Sequence, residues 1–558
     1  MPSAIRRLYS LLAVGTLAIA GACSDDPVAT PTKPNPPGNL QVAQLTLTSV
    51  RVSWDAVTGA AAYVLQRADA NNPGTFTQIG GSITGTSYDD VGLTAGLAYS
   101  YRIATVAGGQ TSDFTTAISI ATGVQAATLS GDITDSRTLY ADTVYTLNGY
   151  VKVQNGATLT IQAGTKIVGD PAVGASSLWI LRGAKIVAIG TAAAPIVFTS
   201  GRALGERKPG DWGGIVIIGN GIINRTGSPI LTEGPDAENY AGGTDNADSS
   251  GVLRYVRIEF AGFDVSNGAG QELNSLSMYA VGSRTKLEYV QSMAGLDDSF
   301  EWWGGAVQGR YLLSYESGDD HFDWSEGFQG KLQYIVAFQT QRLQPAPGTG
   351  TVSSDPRAFE GDGCDPGVSG CTVGATGASE PFSNPTIVNF TLVGTGNLGG
   401  WPTDGNGMVL RRATAGWLHN GIVARFKGKG CEFRDVFTDS LRLRDSLAIN
   451  NALFAENTGG NYDDPVSTTR FCQEAKFATA NHRTAATAAE LFVSLNPVSL
   501  DFTPPGGAAS ETGGGTVALP AARASSFFGG TMPNTAYVGA ADPAGPKWWS
   551  GWSTYVIN

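Results

Sequence analysis

Two nine-residue stretches near the middle of the chain, DDSFEWWGG at 297–305 and DDHFDWSEG at 319–327, carry one pattern at an offset of 22 residues. They agree at both leading acids, at the Phe and the acid that follows it, at the next Trp and at the last Gly. Short β segments that recur about every 20–30 residues are typical of solenoids, in which each repeat forms one coil. The repeat therefore predicts an all-β fold, a right-handed parallel β-helix.

A second set of repeats supports this fold. It consists of short apolar segments that contain a tyrosine, at 253–256, 287–290, 310–312 and 332–335. Leucine-rich repeats share the period, but the Leu and Asn pattern that they need is absent. We expect the β-helix to span 123–558. We expect its C-terminal Trp-rich cap to plug the open end of the coil, with carbohydrate binding as the alternative role of Trp548, Trp549 and Trp552.

The N-terminus has the features of an export signal. Two arginines precede an apolar run over 8–20, and Gly-Ala-Cys follows. The run is too short for a membrane span, so we interpret 1–22 as a signal peptide. The stretch resembles a bacterial lipoprotein signal, which implies lipid attachment at Cys23 and a location at the outer membrane or cell surface. Simple secretion is the alternative, and the Pro-rich segment 23–37 is an extended tether in either case.

Residues 38–122 have the pattern of a small β-sandwich. Apolar and polar residues alternate over short runs separated by turn residues, as at 50–54 and 99–103. The segment resembles a fibronectin type III domain, with Trp54 in the second strand and the sequence LTAGLAY at 93–99 as the tyrosine corner. The resemblance implies a spacer domain.

Composition restricts the partners. The 558 residues carry a formal net charge of −12, with only 15% charged residues and three histidines. Nucleic acids and anionic membrane surfaces repel an acidic protein, so we expect neither as a partner, and membrane contact only through the lipid anchor. Three histidines leave little room for imidazole chemistry or a multi-His metal site. We expect a monomer.

Six short segments carry a wider resemblance. They are GATLTI at 156–161, GDWGG at 210–214, YVRIE at 255–259, LRR at 410–412, YVGA at 537–540 and WSGW at 549–552. The chain resembles, through them, a family of secreted bacterial β-helix proteins that are frequently lipoproteins. Because many β-helix proteins bind or cleave polysaccharides, the resemblance implies an extracellular polysaccharide or surface polymer as the partner, although the fold alone does not define an activity.

Four cysteines remain once Cys23 is set aside. An even number in an exported protein predicts two disulfides, and four cysteines allow three pairings. We expect Cys364–Cys371 and Cys431–Cys472. An oxidising compartment opposes a thiolate metal site.

Strand alternation assigns the side chains of the repeat to two faces. Phe300 and its equivalents belong inside the coil, because burying a stack of unpaired carboxylates is costly. Asp298 and Asp320 begin the strands, at a bend where backbone N–H groups can bind them. The residues expected on the outer face are Asp297, Ser299, Glu301, Trp303, Asp319, His321, Asp323 and Ser325, and a third copy at 359–362 adds Glu360 and Asp362.

The outward acids form the strongest functional signal in the sequence. Between 297 and 326 there are eight acids and one arginine. Glu301, Asp323 and Glu360 would lie in a column at a spacing of about 4.8 Å, where carboxylates bind a cation or share protons. Calcium in an all-oxygen site is the expected cofactor. Its predicted ligands are Glu301, Asp323, Glu360 and Asp362.

Three interpretations of this face stay open. It is a solvated or calcium-stabilised structural face, or it binds a polysaccharide with Trp302, Trp303 and His321 in contact with the sugar, or it is the active site of a polysaccharide-degrading enzyme. The enzyme would be a glycoside hydrolase with paired carboxyl groups or a calcium-dependent lyase. The catalytic candidates are Asp297, Glu301, Asp319, Asp320, Asp323 and Glu360.

One short motif favours the hydrolase. The sequence GDDH at 318–321 resembles the Asp-Asp motif of polygalacturonase-type hydrolases. The Asn-Thr-Asp and Gly-His-Gly motifs of that family are absent at suitable spacing. Polysaccharide binding is therefore the expected function, and polysaccharide degradation is the alternative.

Overall fold

The computed structural model describes residues 32–234, 236–266, 271–374, 377–396 and 405–555. The chain divides into two compact units, the first ending at Gly123 and the second beginning at Val124. The predicted signal peptide over 1–22, the lipidation site Cys23 and the first part of the tether lie outside the described residues. No helix in the described part of the chain is long and apolar enough to cross a membrane.

The first unit is a sandwich of two antiparallel sheets, one of three strands and one of five. Trp54 and Tyr63 pack edge to face in its core, and the backbone N–H of Thr94 donates to the Tyr99 hydroxyl at 2.9 Å, the hydrogen bond of a tyrosine corner. The predicted fibronectin type III fold is confirmed. Its strands are Gln41–Thr46, Ser49–Ser53, Ala62–Asp69, Thr77–Ile83, Ser87–Val91, Ala98–Ala107, Gln110–Thr111 and Ile118–Ala121.

The second unit is the predicted parallel β-helix. A ten-stranded sheet runs along one side of it, and every neighbouring pair of its strands is parallel. Each strand occupies the same place in successive coils. The ten strands are Asp132–Ile133, Tyr150–Val153, Ser177–Ile180, Ile215–Ile218, Leu276–Tyr279, Phe300–Trp303, Phe322–Ser325, Phe359–Asp362, Met408–Arg411 and Cys431–Phe433.

A sixteen-stranded parallel sheet forms the rest of the wall. Four of its long strands have a tyrosine with a positive φ of 50–58° near the middle, and in Thr386–Val393 and Gly416–Ala424 an asparagine takes this place. The stacked rings of the four tyrosines, Tyr255, Tyr289, Tyr311 and Tyr334, have centroids 4.4, 4.5 and 5.0 Å apart. The strands are Gln125–Leu129, Arg137–Leu139, Thr143–Leu147, Thr158–Ile161, Lys166–Gly169, Lys185–Ile189, Ile196–Ser200, Gly251–Glu259, Lys286–Met293, Gln308–Tyr315, Lys331–Phe338, Thr386–Val393, Gly416–Ala424, Leu447–Asn450, Leu453–Ala455 and Arg483–Thr484.

The remaining elements are short. The α-helix Val436–Leu443 is capped by Asp435, whose side chain accepts from the N–H of Thr438, and a second α-helix spans Ala521–Ala524. The loops of the second unit contain short 3₁₀ helices and two-stranded hairpins. They are Glu474–Phe477, Ala488–Glu490, Pro497–Ser499 and Ala509–Glu511, and the strand pairs Phe263–Asp264 with Glu272–Leu273, Val373–Gly374 with Gly377–Ala378, and Ser525–Phe527 with Gly530–Thr531.

The C-terminal tryptophans do not plug the end of the coil. Trp552 packs edge-on against Tyr255 and Tyr289, with ring centroids 5.9 and 6.0 Å away, and Trp548 lies 5.2 Å from Tyr311. These tyrosines belong to middle coils, so the tail covers a side face. The predicted end plug is wrong, because the outer side of the sixteen-stranded sheet carries its own apolar cluster that needs cover.

Both predicted disulfides are confirmed. Cys364 is bonded to Cys371, and Cys431 is bonded to Cys472. The second bond joins a strand of the ten-stranded sheet to the loop that follows the strand Leu453–Ala455.

Candidate functional site

The predicted acidic column lies on the ten-stranded sheet. Glu301 pairs in register with Asp323, and Asp323 pairs with Glu360. The interior partners Phe300, Phe322 and Phe359 hold this register, because they stack in the core and a shift of one residue would bury the acids. The three carboxyl groups therefore lie on one line across three successive coils.

The acids before the strands form a second ladder. Asn274 Oδ1 accepts the backbone N–H of Asp298 at 3.0 Å, Asp298 Oδ1 accepts that of Asp320 at 2.7 Å, and Asp320 Oδ1 accepts that of Arg357 at 2.6 Å. Each side chain thus binds the next coil at the bend, as expected for Asp298 and Asp320. Asn274 also donates to Glu301 Oε2 at 2.6 Å, which orients the first acid of the column.

Loops on both sides turn the acidic face into a groove. Two adjoining cavities of about 550 and 480 Å³ share Glu233, Glu301, Asp323 and Glu360 in their linings. All six predicted catalytic candidates line the groove; they are Asp297, Glu301, Asp319, Asp320, Asp323 and Glu360. Glu233 also lines the groove, and it comes from a loop that has no repeat pattern to indicate this position.

Burial dominates the electrostatics of the groove. It raises the pKa of Asp319 to about 7 and those of Asp320 and Glu360 to about 8, and neighbouring carboxylates add to the shift while Arg357 opposes it. Burial and neighbouring acids also raise other carboxyl pKa values well above their ordinary range. These groups are Glu233, Asp297, Asp298, Glu301 and Asp323. The groove therefore holds protons near neutral pH or takes up positive charge from a ligand.

Three groups of acids have the spacing of metal ligands. In each, one oxygen per residue lies within 4.8 Å of the others. Oδ1 of Asp323 is enclosed and has no hydrogen-bond partner in the described part of the chain. Asp323 thus offers an oxygen to a cation, the chemistry that calcium prefers. The groups are Asp297 with Asp298 and Asp319, Asp298 with Glu301 and Asp323, and Asp320 with Asp323 and Glu360.

Arginines from later coils neutralise one end of the groove. Arg357 Nη1 lies 2.6 Å from Glu360, and Arg411 contacts Glu360 at 2.8 Å and Asp362 at 2.7 Å. Arg412 also pairs with Asp362. Asp362 is also predicted to be a calcium ligand, but two arginines pair with it and it belongs to none of the three groups of described acids with metal-ligand spacing, so this prediction is corrected. The alignment of the two strands indicates this ion pair, because Arg411 is the register partner of Asp362 on the adjacent strand.

Two predicted ligand contacts are wrong. Trp302 is fully buried between Phe300 and Phe328, inside the coil. His321 is 4% exposed, its Nδ1 lies 2.5 Å from Ser314 Oγ, and burial lowers its pKa to about 3. The alternation rule fails for His321 because the strand begins at Phe322, so alternation does not extend to the residue before it. Ser299, its equivalent in the previous coil, is buried for the same reason.

Trp303 does line the groove, as predicted. It is 7% exposed, and one face of its indole stacks on Tyr279 at 3.9 Å between ring centroids. Tyr279 in turn packs against Tyr240, whose hydroxyl donates to Glu326 Oε2 at 2.8 Å. An aromatic platform therefore borders the acidic column.

The fold and the groove define a class of protein, a fibronectin type III module joined to a right-handed parallel β-helix with an acidic, aromatic-lined groove. Residues 35–120 match the fibronectin type III domain, and residues 131–492 match the family described as pectate-lyase like beta helix domain. The second match covers more than half of the chain, so the chain belongs to this pectate-lyase-like β-helix family. The two matches mark it as a polysaccharide-related extracellular protein.

Other relatives share short parts of the chain. Chitinase C of Streptomyces lividans is 36% identical over 86 residues, which are 15% of this chain and 13% of that enzyme. Among solved structures, an Fn3-like protein from Clostridium thermocellum is 26% identical, with a TM-score of 0.15. The match covers 16% of this chain and 92% of that protein's chain. The FN1–FN3 domains of chicken CNTN1 are 19% identical over 16% of this chain and 30% of theirs, also with a TM-score of 0.15.

Proposed function

We propose that this protein binds an extracellular polysaccharide in the acidic groove of its β-helix, with calcium as a cofactor. The observation that carries the proposal is the in-register column of Glu301, Asp323 and Glu360, set in a groove that Trp303 also lines. Sugar hydroxyl groups donate hydrogen bonds to carboxylates, and sugar rings pack on aromatic faces. The groove supplies both kinds of contact along one line.

Calcium would be held by Asp298, Glu301 and Asp323, with Asp320 and Glu360 next along the column. These are hard oxygen ligands in groups of the right spacing. Burial, and then repulsion between neighbouring acids, raises the pKa values of Glu301 and Asp323, and a bound divalent cation would offset this repulsion. A bound calcium would also bridge the column to a carboxylate of an acidic polysaccharide.

The export signal supports a place at the cell surface. Lipid attachment at Cys23 would hold the protein at the outer membrane, with residues 23–37 as the tether. Replacement Cys23→Ser should move the protein from the membrane fraction to the medium. Retention of the variant in the membrane fraction would contradict the lipid anchor.

Polysaccharide degradation is the second candidate function. Asp320 and Glu360, whose pKa values are raised to about 8, lie beside Asp323. One of them would be protonated at neutral pH and would act as the general acid of a glycoside hydrolase, with a neighbouring carboxylate as base or nucleophile. A calcium-dependent lyase would also need a base, and Arg357 cannot serve as one, because its ion pairs with Asp320 and Glu360 outweigh its burial and raise its pKa.

Titration calorimetry on the full chain tests the binding proposal. The probes are polygalacturonate, chitohexaose and cellohexaose, each with calcium and with chelator. The test variant is Glu301→Gln/Asp323→Asn. The matched control is Asp132→Asn/Asp135→Asn, which removes two exposed carboxylates at the first strand of the same sheet.

We expect the wild type to bind at least one of the probes, and we expect the control variant to bind that probe with the same affinity. The column variant should bind about tenfold or more weakly, which corresponds to about 1.4 kcal/mol. Binding of no probe by the wild type would contradict the proposal, and so would equal binding by the column variant. Release of new reducing ends or of unsaturated products from the bound probe would establish degradation.

A further inference from the structure

Arginine compensates only one of the three groups of acids that have metal-ligand spacing. In the third group, Arg357 Nη1 lies 3.2 Å from Asp320 and 2.6 Å from Glu360. The first two groups share one acid and together contain five, none of which forms an ion pair with Lys or Arg in the described part of the chain. The five are Asp297, Asp298, Glu301, Asp319 and Asp323, and the shared acid is Asp298.

One calcium ion does not balance these five acids. The ion of the proposed function contacts Asp298, Glu301 and Asp323, which leaves Asp297 and Asp319, one coil apart, without a cation. After burial, repulsion by Asp319 is the largest cause that raises the pKa of Asp297. A second divalent ion would bring four positive charges against the five carboxylates. The charge balance therefore favours two ions over one.

Two carboxylate oxygens of the remaining group have no hydrogen-bond partner among the described residues. Oδ1 of Asp319 is enclosed and unpaired, while a hydrogen bond with Ser353 orients its carboxyl group. Asp298 is 6% exposed, and its Oδ1 accepts the backbone N–H of Asp320, but its other oxygen accepts no hydrogen bond from a described residue. Enclosing a carboxylate oxygen without a donor is costly unless a cation lies beside it.

We propose that Asp297, Asp298 and Asp319 hold a second calcium ion, which Asp298 bridges to the first. This inference rests on the proposed function, because the first ion belongs to it. One oxygen from each of the three acids lies within 4.8 Å of the others. Calcium binds oxygen at about 2.3–2.6 Å, so two ligands of one ion can be up to about 5 Å apart.

The second ion would lie against the smaller cavity, which all three acids line. Three carboxyl groups supply at most about six oxygens, and calcium takes about six to eight. Oxygens of water or of the polysaccharide in the cavity complete the set. The two ions together would therefore give the groove two adjacent points of contact for sugar oxygens.

Counting bound calcium tests the second site. The full chain is freed of metal with chelator and dialysed to equilibrium against calcium alone at neutral pH. The test variant Asp297→Asn/Asp319→Asn should bind one ion fewer than the wild type. The column variant, which loses two ligands of the first ion, should also bind one ion fewer. The exposed control Asp132→Asn/Asp135→Asn should bind as many ions as the wild type.

Replacement Asp298→Asn tests the shared ligand. Asn274 takes the equivalent place one coil earlier, and its Oδ1 accepts the backbone N–H of Asp298 at 3.0 Å, so an asparagine can keep the hydrogen bond at the bend. The variant should bind both ions about tenfold or more weakly, because loss of a ligand costs at least as much as loss of a group that orients one.

Melting in chelator shows whether the groove variants fold. Burial raises the pKa of each replaced acid, so a neutral amide should leave the melting temperature at or above that of the wild type. A variant that melts as expected and binds one ion fewer has therefore lost the ion from its own site.

The outcomes separate the second ion from the proposed function. One ion fewer in folded Asp297→Asn/Asp319→Asn, with the control equal to the wild type, supports the second site. Equal numbers in that variant and the wild type overturn it, and the first calcium stands if the column variant loses one ion. No calcium bound by the wild type overturns both ions, while the sugar titrations decide separately whether the groove binds a polysaccharide.

Discussion

Replacement Glu316→Gln should remove a pH-dependent loss of stability. Glu316 is fully buried beneath the C-terminal tail, and burial raises its pKa from 4.5 to about 7. Its carboxyl group accepts from the N–H of Thr340 at 2.9 Å, from the Thr340 hydroxyl at 2.6 Å and from the Tyr555 hydroxyl. A glutamine side-chain oxygen can accept the same bonds.

The size of the effect follows from the pKa difference. The folded pKa lies above the unfolded one, so the stability contribution is complete below pH 4.5 and is lost as the pH rises to about 7. At about 1.4 kcal/mol for each pKa unit, the ionised carboxylate lowers the free energy of unfolding by about 3 kcal/mol at pH 8. In the variant, the amide NH₂ group replaces the oxygen that accepts the N–H of Gln341 at 3.3 Å. The loss of this bond lowers the free energy of unfolding by about 1 kcal/mol.

The difference in the free energy of unfolding between wild type and variant is measured by guanidinium unfolding. The measurements run from about pH 4 to about pH 8.5, which covers the titration of Glu316. Taking the difference cancels the acids of the groove, which titrate in both proteins. We expect the variant to be about 1 kcal/mol less stable at pH 4 and about 2 kcal/mol more stable at pH 8. A difference that does not change with pH would refute the reasoning that burial of Glu316 controls it.

Three further predictions concern the column and the disulfides. Calcium at a hundredfold excess over its Kd should raise the free energy of unfolding by about 2.7 kcal/mol, measured as a rise in Tm that chelator reverses. In chelator at pH 8, the variant Asp323→Asn should melt higher than the wild type, because burial and neighbouring acids oppose ionisation of Asp323, and its response to calcium should be smaller. Replacing Cys431 and Cys472 by serine should cost about 4 kcal/mol, against about 2 kcal/mol for Cys364 and Cys371, because their sequence separations are 41 and 7 residues; chemical unfolding measures both losses.

The sequence predicted the parts of the site that lie within the exact repeat. A period of 22 residues fixes which side chains align, and the cost of burying charge fixes which face they take. These two arguments were enough for the column of Glu301 and Asp323. They also placed Asp298 and Asp320 at the bends, where they bind the N–H groups of the next coil.

The errors lie where the strand rule or the repeat stops, except for Trp302, which alternation itself places on the inner face with Phe300. His321 precedes its strand and turns inward, so alternation gave it the wrong face. Arg357 and Arg411 follow insertions that break the period, and their pairing with Glu360 depends on how those loops return to the sheet. Glu233 reaches the groove from a loop with no repeat. Loops that cross several coils leave no periodic pattern to read.

Crystals soaked with calcium chloride and hexagalacturonate, and others soaked with chitohexaose, test the central claim most directly. We predict sugar rings along the groove over Glu301, Asp323 and Glu360. For the acidic sugar, we also predict a cation between the column and a sugar carboxylate. Sugar bound only outside the groove, or a groove that stays empty while calorimetry shows binding, would contradict the account.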